Sequence, residues 1–295
     1  MEECISRLHS RPLPHDQPLW GIYLINGYQD RQIVFWRFHH ALGDGVSWSA
    51  ATVALLTDKI DVELVSATLF QRLVVLLWVW WGWAFVLLRW LRMAIWYPPQ
   101  SKLVTHGKPL SGQRHVALDA VCSVERAKAI GRPCGATVND VMMAALARAV
   151  SNLNGGEESW LATAVPVNLR LSTLHVLELA NVFGSISMFL PISSKGALAD
   201  TVRLVKKETA AAKRFPEAHV GYVFLIIASA IFPTRLTRFI FDALSSKVKL
   251  SFSNVKGIDE KLTFFDGVEC SLMAGIVPPP NGVGIGVGVV SFGKV

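Results

Sequence analysis

The sequence predicts an α/β protein, on three observations. Two strand signals separated by turn residues open the chain. Strand and helix signals follow one another beyond residue 113. Between them lies a helical, apolar, tryptophan-rich run. Hydrophobic residues make up 52% and charged ones 17%, with mean hydropathy +0.38 and ten tryptophans. That is more apolar than ordinary soluble domains and points to membrane association or a long apolar cavity. The net charge of +7 suits anionic lipid headgroups or phosphorylated ligands. No nucleic-acid motif and no basic run with interleaved aromatics is present, so nucleic acid is not an expected partner. Cys4, Cys122, Cys134 and Cys270 are widely spaced without a CxxC, which predicts a reducing, cytosol-facing compartment. The N-terminus, Met1-Glu2-Glu3, is acidic and does not read as a signal peptide.

In chain order, residues 1–17 are polar, contain Pro12 and Pro14, and read as an irregular lead-in. Trp20 to Asn26 is an extended run, Asn26-Gly27-Tyr28-Gln29-Asp30 supplies turn residues, and Ile33 to Phe38 is the return strand, together a hairpin. His39 and His40 stand at its exit, followed by Gly43-Asp44-Gly45 and a helix from Ser47 to near Asp58-Lys59. Alternation along a strand predicts that one histidine faces a reaction channel and the other the interior. The glycines permit positive φ and close approach of a ligand. Asp44 can bond to backbone N–H groups of the turn or pair with a basic side chain. A metal site would need a third or fourth ligand, and no further His/Cys cluster lies nearby, so no metal is expected.

Leu73 to Leu88 carries no charge across sixteen residues and is bounded by Arg72 and Arg89; Pro98-Pro99 ends the apolar character. As a helix those residues span about 24 Å, short of the roughly 30 Å hydrocarbon core unless Arg89 and Arg92 snorkel. Its tryptophans sit mid-run, whereas spanning helices favour them at the ends. If both flanks of this helix contribute to one site, a single span would part them, which favours insertion into one leaflet or lining of a tunnel over a true span or an ordinary core helix.

Residues 98–112 read as a linker and Arg114 to Leu118 as a strand. Ser123 caps a helix that Gly131 to Gly135 breaks. Thr137 or Asn139 caps a helix from Val141 to Leu153, with Asp140 in its first turn; Asn139 is either a good helix start or a channel residue. Trp160 to Val165 is an apolar, central strand, and Pro166-Val167-Asn168-Leu169-Arg170 follows at its end. Asn181 to Leu190 is a strand, and Leu198 to Ala212 a helix whose Arg203, Lys206, Lys207 and Lys213 form a solvated basic face or a phosphate contact. Val220 to Phe232 is a second apolar run. Val248 to Val255, Leu262 to Phe265 and Val283 to Val289 read as the last strands. Glycines at alternate positions leave one face of the last nearly bare, for a helix or an apolar ligand.

The HHxxxDG string at His39 to Gly45 is fairly specific. With Pro18-Leu19-Trp20, Asn139-Asp140-Val141, Pro166 to Arg170, Asn181-Val182-Phe183-Gly184 and Ser253-Asn254-Val255, all in the same order, the chain resembles the wax ester synthase/diacylglycerol acyltransferase family. This is a branch of the CoA-dependent acyltransferase superfamily, and the likeness is to its plant members. The resemblance implies a two-domain fold like that of chloramphenicol acetyltransferase, its channel between two sheet-and-helix halves. It divides the chain into residues 1–66, the remainder of an N-terminal half carrying HHxxxDG; 67–112, the apolar segment and linker; and 113–295, the C-terminal half. It implies a chain shortened ahead of Pro18, and so a first half incomplete at its N-terminus.

The implied activity is transfer of a fatty acyl group from acyl-CoA to a long-chain alcohol, to diacylglycerol, or to both. His40 would be the general base, supported by His39, Asp44 and Gly45, with Arg170 a candidate partner for Asp44. Asn168, Ser253 and Asn254 are candidates to bind substrate and the developing oxyanion. Acyl-CoA is a substrate; no other cofactor and no metal are implied. Partners are acyl-CoA, fatty alcohol or diacylglycerol, and membrane lipid. The expected location is the cytosolic face of the endoplasmic reticulum membrane, or the plasma membrane. The alternative is a catalytically inactive paralogue that binds lipid or a partner.

Overall fold

The computed structural model describes residues 1–14, 16–28, 31–56, 67–96, 110–120, 122–153, 160–171, 178–192, 195–255, 257, 262–264, 267–276, 279 and 282–292. Most of the expected linker, the end of the helix after Ser47 and part of the hairpin turn lie outside these residues.

The chain begins with helix α1 (Glu2–Ser10), not with an irregular lead-in. Glu2 and Glu3 sit in its first turn and Arg7 and His9 in its last, the charge order that suits the helix dipole. Ile5 is buried. The helix also explains why Arg114 to Leu118 forms no strand. The backbone N–H groups of Arg114, Val116 and Leu118 are taken by the side chains of Ser10 (2.9 Å), Ser6 (2.9 Å) and Glu2 (2.7 Å). The segment is extended, but it spends its alternate donors on a helix rather than a sheet.

Strands β1 (Trp20–Tyr28) and β2 (Arg31–Phe38) pair antiparallel, from Trp20 opposite Phe38 to Tyr28 opposite Arg31, with a register shift between Ile25 and Tyr28. Gly27 takes φ +84°, which L-residues with a side chain rarely adopt. Helix α2 (Gly45–Leu56) follows. Helix α3 (Leu69–Trp96) contains the apolar run. Thr68 and Gln71 form a capping box at its start: the Thr68 N–H donates to Gln71 Oε1 (2.8 Å) and the Gln71 N–H to Thr68 Oγ1 (3.2 Å).

Helix α4 (Val124–Gly131) is capped by Ser123, which accepts from the Arg126 N–H. A 3-10 turn, Arg132–Cys134, ends at Gly135 in the left-handed region. Helix α5 (Val138–Leu153) opens with a second reciprocal cap, Thr137 with Asp140. The Asp140 carboxylate also accepts from the buried Thr209 hydroxyl at 2.7 Å.

Strands β3 (Trp160–Asn168), β4 (Phe183–Pro191), β5 (Leu250–Val255) and β8 (Ile285–Val290) form one sheet in the order β4-β3-β5-β8. The first pair is antiparallel and the other two are parallel. As its apolar sequence predicts, β3 is internal. Two short strands, β6 (Thr263–Phe264) and β7 (Val268–Glu269), pair apart from it.

The core lies where α5 and helix α6 (Leu198–Ala212) pack on this sheet, with Met143, Ala147, Leu161, Val202, Leu250 and Phe252 buried. Helix α7 (Glu217–Ile231) packs on β4 so closely that a Cβ on Gly184 would stand 2.0 Å from the Ala218 carbonyl oxygen. Helix α8 (Thr234–Ser245), which the sequence reading did not assign, buries no residue.

Candidate functional site

Strand β2 ends at Phe38, one residue before the tandem histidines. The His39 N–H closes the hairpin on the Leu19 carbonyl (2.8 Å), and the chain then turns, Leu42 N–H donating to the His39 carbonyl at 3.0 Å. Strand alternation therefore no longer applies, and both histidine side chains are exposed. The expectation that His39 faces the interior is corrected. Its Nδ1 accepts from the Ala41 N–H at 3.1 Å, which leaves any proton of the neutral ring on Nε2. Neither ring nitrogen of His40 has a protein partner among the described residues, and its ring stands beside that of Phe183, centroids 5.5 Å apart.

Asp44 is buried. It caps α2 through the Ser47 N–H (3.0 Å), accepts from the Val182 N–H (3.0 Å) and pairs with Arg170 Nη1 at 2.7 Å. Arg170 also donates through Nη2 to Ser47 Oγ (2.7 Å) and the Ala180 carbonyl (2.9 Å). Burial alone would raise the Asp44 carboxyl; the Arg170 guanidinium and the two backbone N–H groups outweigh it and hold the group below the ordinary carboxylate value. With its oxygens committed in this way, Asp44 locks the turn and does not reach a histidine.

Neither Gly43 nor Gly45 takes positive φ. A Cβ on Gly43 would lie 3.3 Å from Ser47 Cβ and 3.5 Å from the Ala180 N, whereas one on Gly45 would meet nothing within 4 Å. Close packing explains the first glycine; at the second, the missing side chain leaves open space.

Segment 180–183 completes the arrangement. Asn181 Nδ2 donates to the His40 carbonyl at 2.8 Å, and the Asp44 N–H donates to the Ala180 carbonyl at 3.2 Å. Sequence reasoning noted the Asn-Val-Phe-Gly string without a role for Asn181. It lies just before β4 rather than in it, so its side chain is free to reach across.

These residues open onto a cleft of about 1840 Å³. His39, His40, Asp44 and Gly45 line it, as do Asn168 at the end of β3 and Ser253 and Asn254 on β5. All seven sequence-predicted site residues are thus brought to one cavity. Asn168 Oδ1 is turned to Arg170, accepting from its N–H at 3.1 Å. Asn254 Nδ2 donates to Asn139 Oδ1 at 3.4 Å, so Asn139 touches a residue of the cleft lining without lining it itself, while Asp140 serves the helix start. Gly288 of β8 presents its bare face to the same space.

The basic face of α6 does not line the cleft; Arg11, Arg31, Arg37 and Arg114 do. His9, also on the cleft, is pushed down to about 4 by burial first and then by Arg114 and Arg37, a sign of positive potential there.

The chain matches the profile of the wax ester synthase/diacylglycerol acyltransferase catalytic domain over residues 1–68 and that of the WS/DGAT C-terminal domain over residues 179–295. Wax ester synthase/diacylglycerol acyltransferase 1 of Arabidopsis thaliana is 24% identical over 90% of this chain and 63% of its own length. The chain thus spans less than two thirds of that relative. The solved wax ester synthase/diacylglycerol acyltransferase of Marinobacter aquaeolei superposes with TM-score 0.63 at 21% identity, covering 99% of this chain and 68% of that one. The starter condensation domain of rhizomide synthetase superposes at 0.51 with 14% identity over 86% of this chain and 56% of its own. The fold is the CoA-dependent acyltransferase fold expected from the sequence. Two profiles of one family, matched on either side of the tryptophan-rich helix, place the chain in the wax ester synthase/diacylglycerol acyltransferase family.

Proposed function

We propose that the chain transfers a fatty acyl group from acyl-CoA to the hydroxyl of a long-chain alcohol or of diacylglycerol, on the cytosolic face of the endoplasmic reticulum membrane. The observation that carries this reading is the exposed His40 ring on the wall of an open cleft, its main chain tied by Asn181 to the opposite half. A hydroxyl is a weak nucleophile. A neutral imidazole in reach takes its proton as the oxygen attacks the thioester carbonyl carbon. The tetrahedral intermediate collapses with cleavage of the C–S bond, and the imidazolium returns the proton to the departing CoA sulfur. Asn168, Ser253 and Asn254 would offer donors to the oxyanion; their place on the cleft lining supports this reading. The arginines of the cleft suit the phosphates of CoA. Both substrates meet at one base, so no covalent enzyme intermediate and no metal enters the scheme.

The test is ester formation by membranes carrying the chain, supplied with labelled acyl-CoA and both acceptors. His40→Ala abolishes product; unchanged turnover would remove His40 as the base. A second reading, a silent paralogue that binds lipid or a partner, is favoured by the hairpin, whose Trp20, Ile22, Leu24 and Val34 stay exposed and leave that side of the cleft uncovered. Acyl-CoA binding without product, from folded protein, would select it.

A further inference from the structure

Helix α3 has two apolar faces, and only one is used. Trp78, Gly82, Val86, Arg89 and Trp90 follow helical spacing toward α7. Trp78 meets His219, Trp90 meets Phe224, and a Cβ on Gly82 would stand 2.2 Å from Pro216 Cγ. Arg89 pairs with the buried Glu217 at 3.0 Å and also donates to the Ser187 carbonyl. The other face carries Leu73, Leu76, Leu77, Trp80, Trp81 and Leu88, each about half exposed or more, up to 78% at Trp80.

By length and composition, residues Leu69–Leu91 are able to cross a membrane; as helix they reach about 35 Å against a core of roughly 30 Å. The fold forbids it. Asp44 precedes α3, Arg170 follows it, and the two are bonded at 2.7 Å inside one site. A span would put them on opposite sides of the bilayer. The next apolar helix, α7 (Glu217–Ile231), follows Arg170 in the chain, so a second crossing there would still leave Asp44 and Arg170 on opposite sides.

Helix α8 adds a second, independent feature. Leu236, Phe239, Ile240, Ala243 and Leu244 recur at helical spacing on one side, yet no residue of the helix is buried. Arg235 and Arg238 stand on its other flank. An exposed apolar stripe beside basic residues is the composition of a helix that lies in a lipid interface.

We propose that α3 lies flat in one leaflet of an anionic phospholipid bilayer through its unpacked face, with α8 as a second contact whose arginines meet the headgroups. The apolar faces supply insertion and the arginines select anionic lipid. This rests on the proposed membrane location but not on the role of His40. A protein that floats with vesicles yet makes no ester sinks the catalytic reading alone; one that makes ester without floating sinks this proposal and the membrane location and leaves the acyl transfer standing.

The full chain is expected to float with mixed phosphatidylcholine and phosphatidylserine vesicles, and His40→Ala to float equally. Leu77→Glu/Trp80→Glu/Leu88→Glu lowers the bound fraction by about tenfold or more with an unchanged thermal melt. Arg235→Glu/Arg238→Glu lowers it on mixed vesicles but not on pure phosphatidylcholine, and this arm holds should the first variant not fold. In sealed microsomes, protease added outside removes tags at both ends of the chain. Absence of flotation overturns the proposal, as does protection of one tag, which would mean a span. A triple variant that floats normally but turns a dimer into a monomer overturns it in favour of a second copy of the chain.

Discussion

Among the described residues, two ion pairs join the first hundred residues to the sheet-bearing half, and they are built differently. At the cleft, Asp44 accepts from Arg170, Ser47 and Val182, and Arg170 gives its remaining bonds to Ser47, Ala180 and Asn168. At the α3–α7 contact, Glu217 has the Ser187 N–H at 3.2 Å, the Trp90 indole N–H at 3.4 Å and a poorly aligned Arg89 Nε at 3.0 Å. The outcome for the two carboxyls is opposite. Asp44 is held below its ordinary value despite burial, whereas burial pushes Glu217 up, against the pull of Arg89. Burial raises both carboxyls; at Asp44 the guanidinium and the backbone donors outweigh it, and at Glu217 the donors do not.

The comparison breaks most sharply at Arg170. Arg170→Met leaves a buried carboxylate without its counter-charge and unties the turn that carries His40. A loss of about 3–5 kcal/mol in a denaturant titration is expected, together with loss of ester formation. Arg89→Met should cost less, about 1–3 kcal/mol, because Glu217 can take up a proton where Asp44 resists one. That cost shrinks as pH is lowered toward the raised pKa of Glu217; a pH-independent cost would contradict the distinction.

The two carboxyls also give opposite pH slopes in the wild-type protein. Asp44, lowered from 3.8, contributes stability that is present above that value and lost as pH falls below it. Glu217, raised from 4.5, makes the fold progressively less stable as pH rises from that value through its folded pKa. Urea midpoints against pH should show the upper slope vanish in Glu217→Gln and the acid limb flatten in Asp44→Asn. The smallest effect is expected at Asn181. Asn181→Ala removes one bond to the His40 carbonyl, worth about 1 kcal/mol of stability. A loss of about tenfold in kcat with KM unchanged would mark a positioning role.

Much of the site was legible in the chain, because it is built from local signals. The hairpin, the turn at Gly43-Asp44-Gly45 and the helix after it depend on neighbours in sequence, and Arg170 was a candidate partner for Asp44 only with the help of the family resemblance. The orientation of His39 was not legible. It depends on where β2 stops, and the alternation rule fails one residue past that point. Helix α1 was missed because its amphipathic turns are polar and precede two prolines, and the absent strand at Arg114 to Leu118 because its donors go to α1 side chains a hundred residues away. The role of Asn181 had no local signal at all, since it bonds to a carbonyl 141 positions earlier in the chain.

By itself the sequence determined most of the elements, the caps at Ser123 and Thr137 and the tandem-histidine turn, since these follow from residue types within a few positions of each other. Only the tertiary structure decided which carboxyl is held below its ordinary pKa and which is pushed above it, that both histidines face the cleft, and that the tryptophan-rich helix is docked on α7 with one apolar face left over. Those outcomes turn on which groups distant parts of the chain bring within about 3 Å, and no local pattern encodes that.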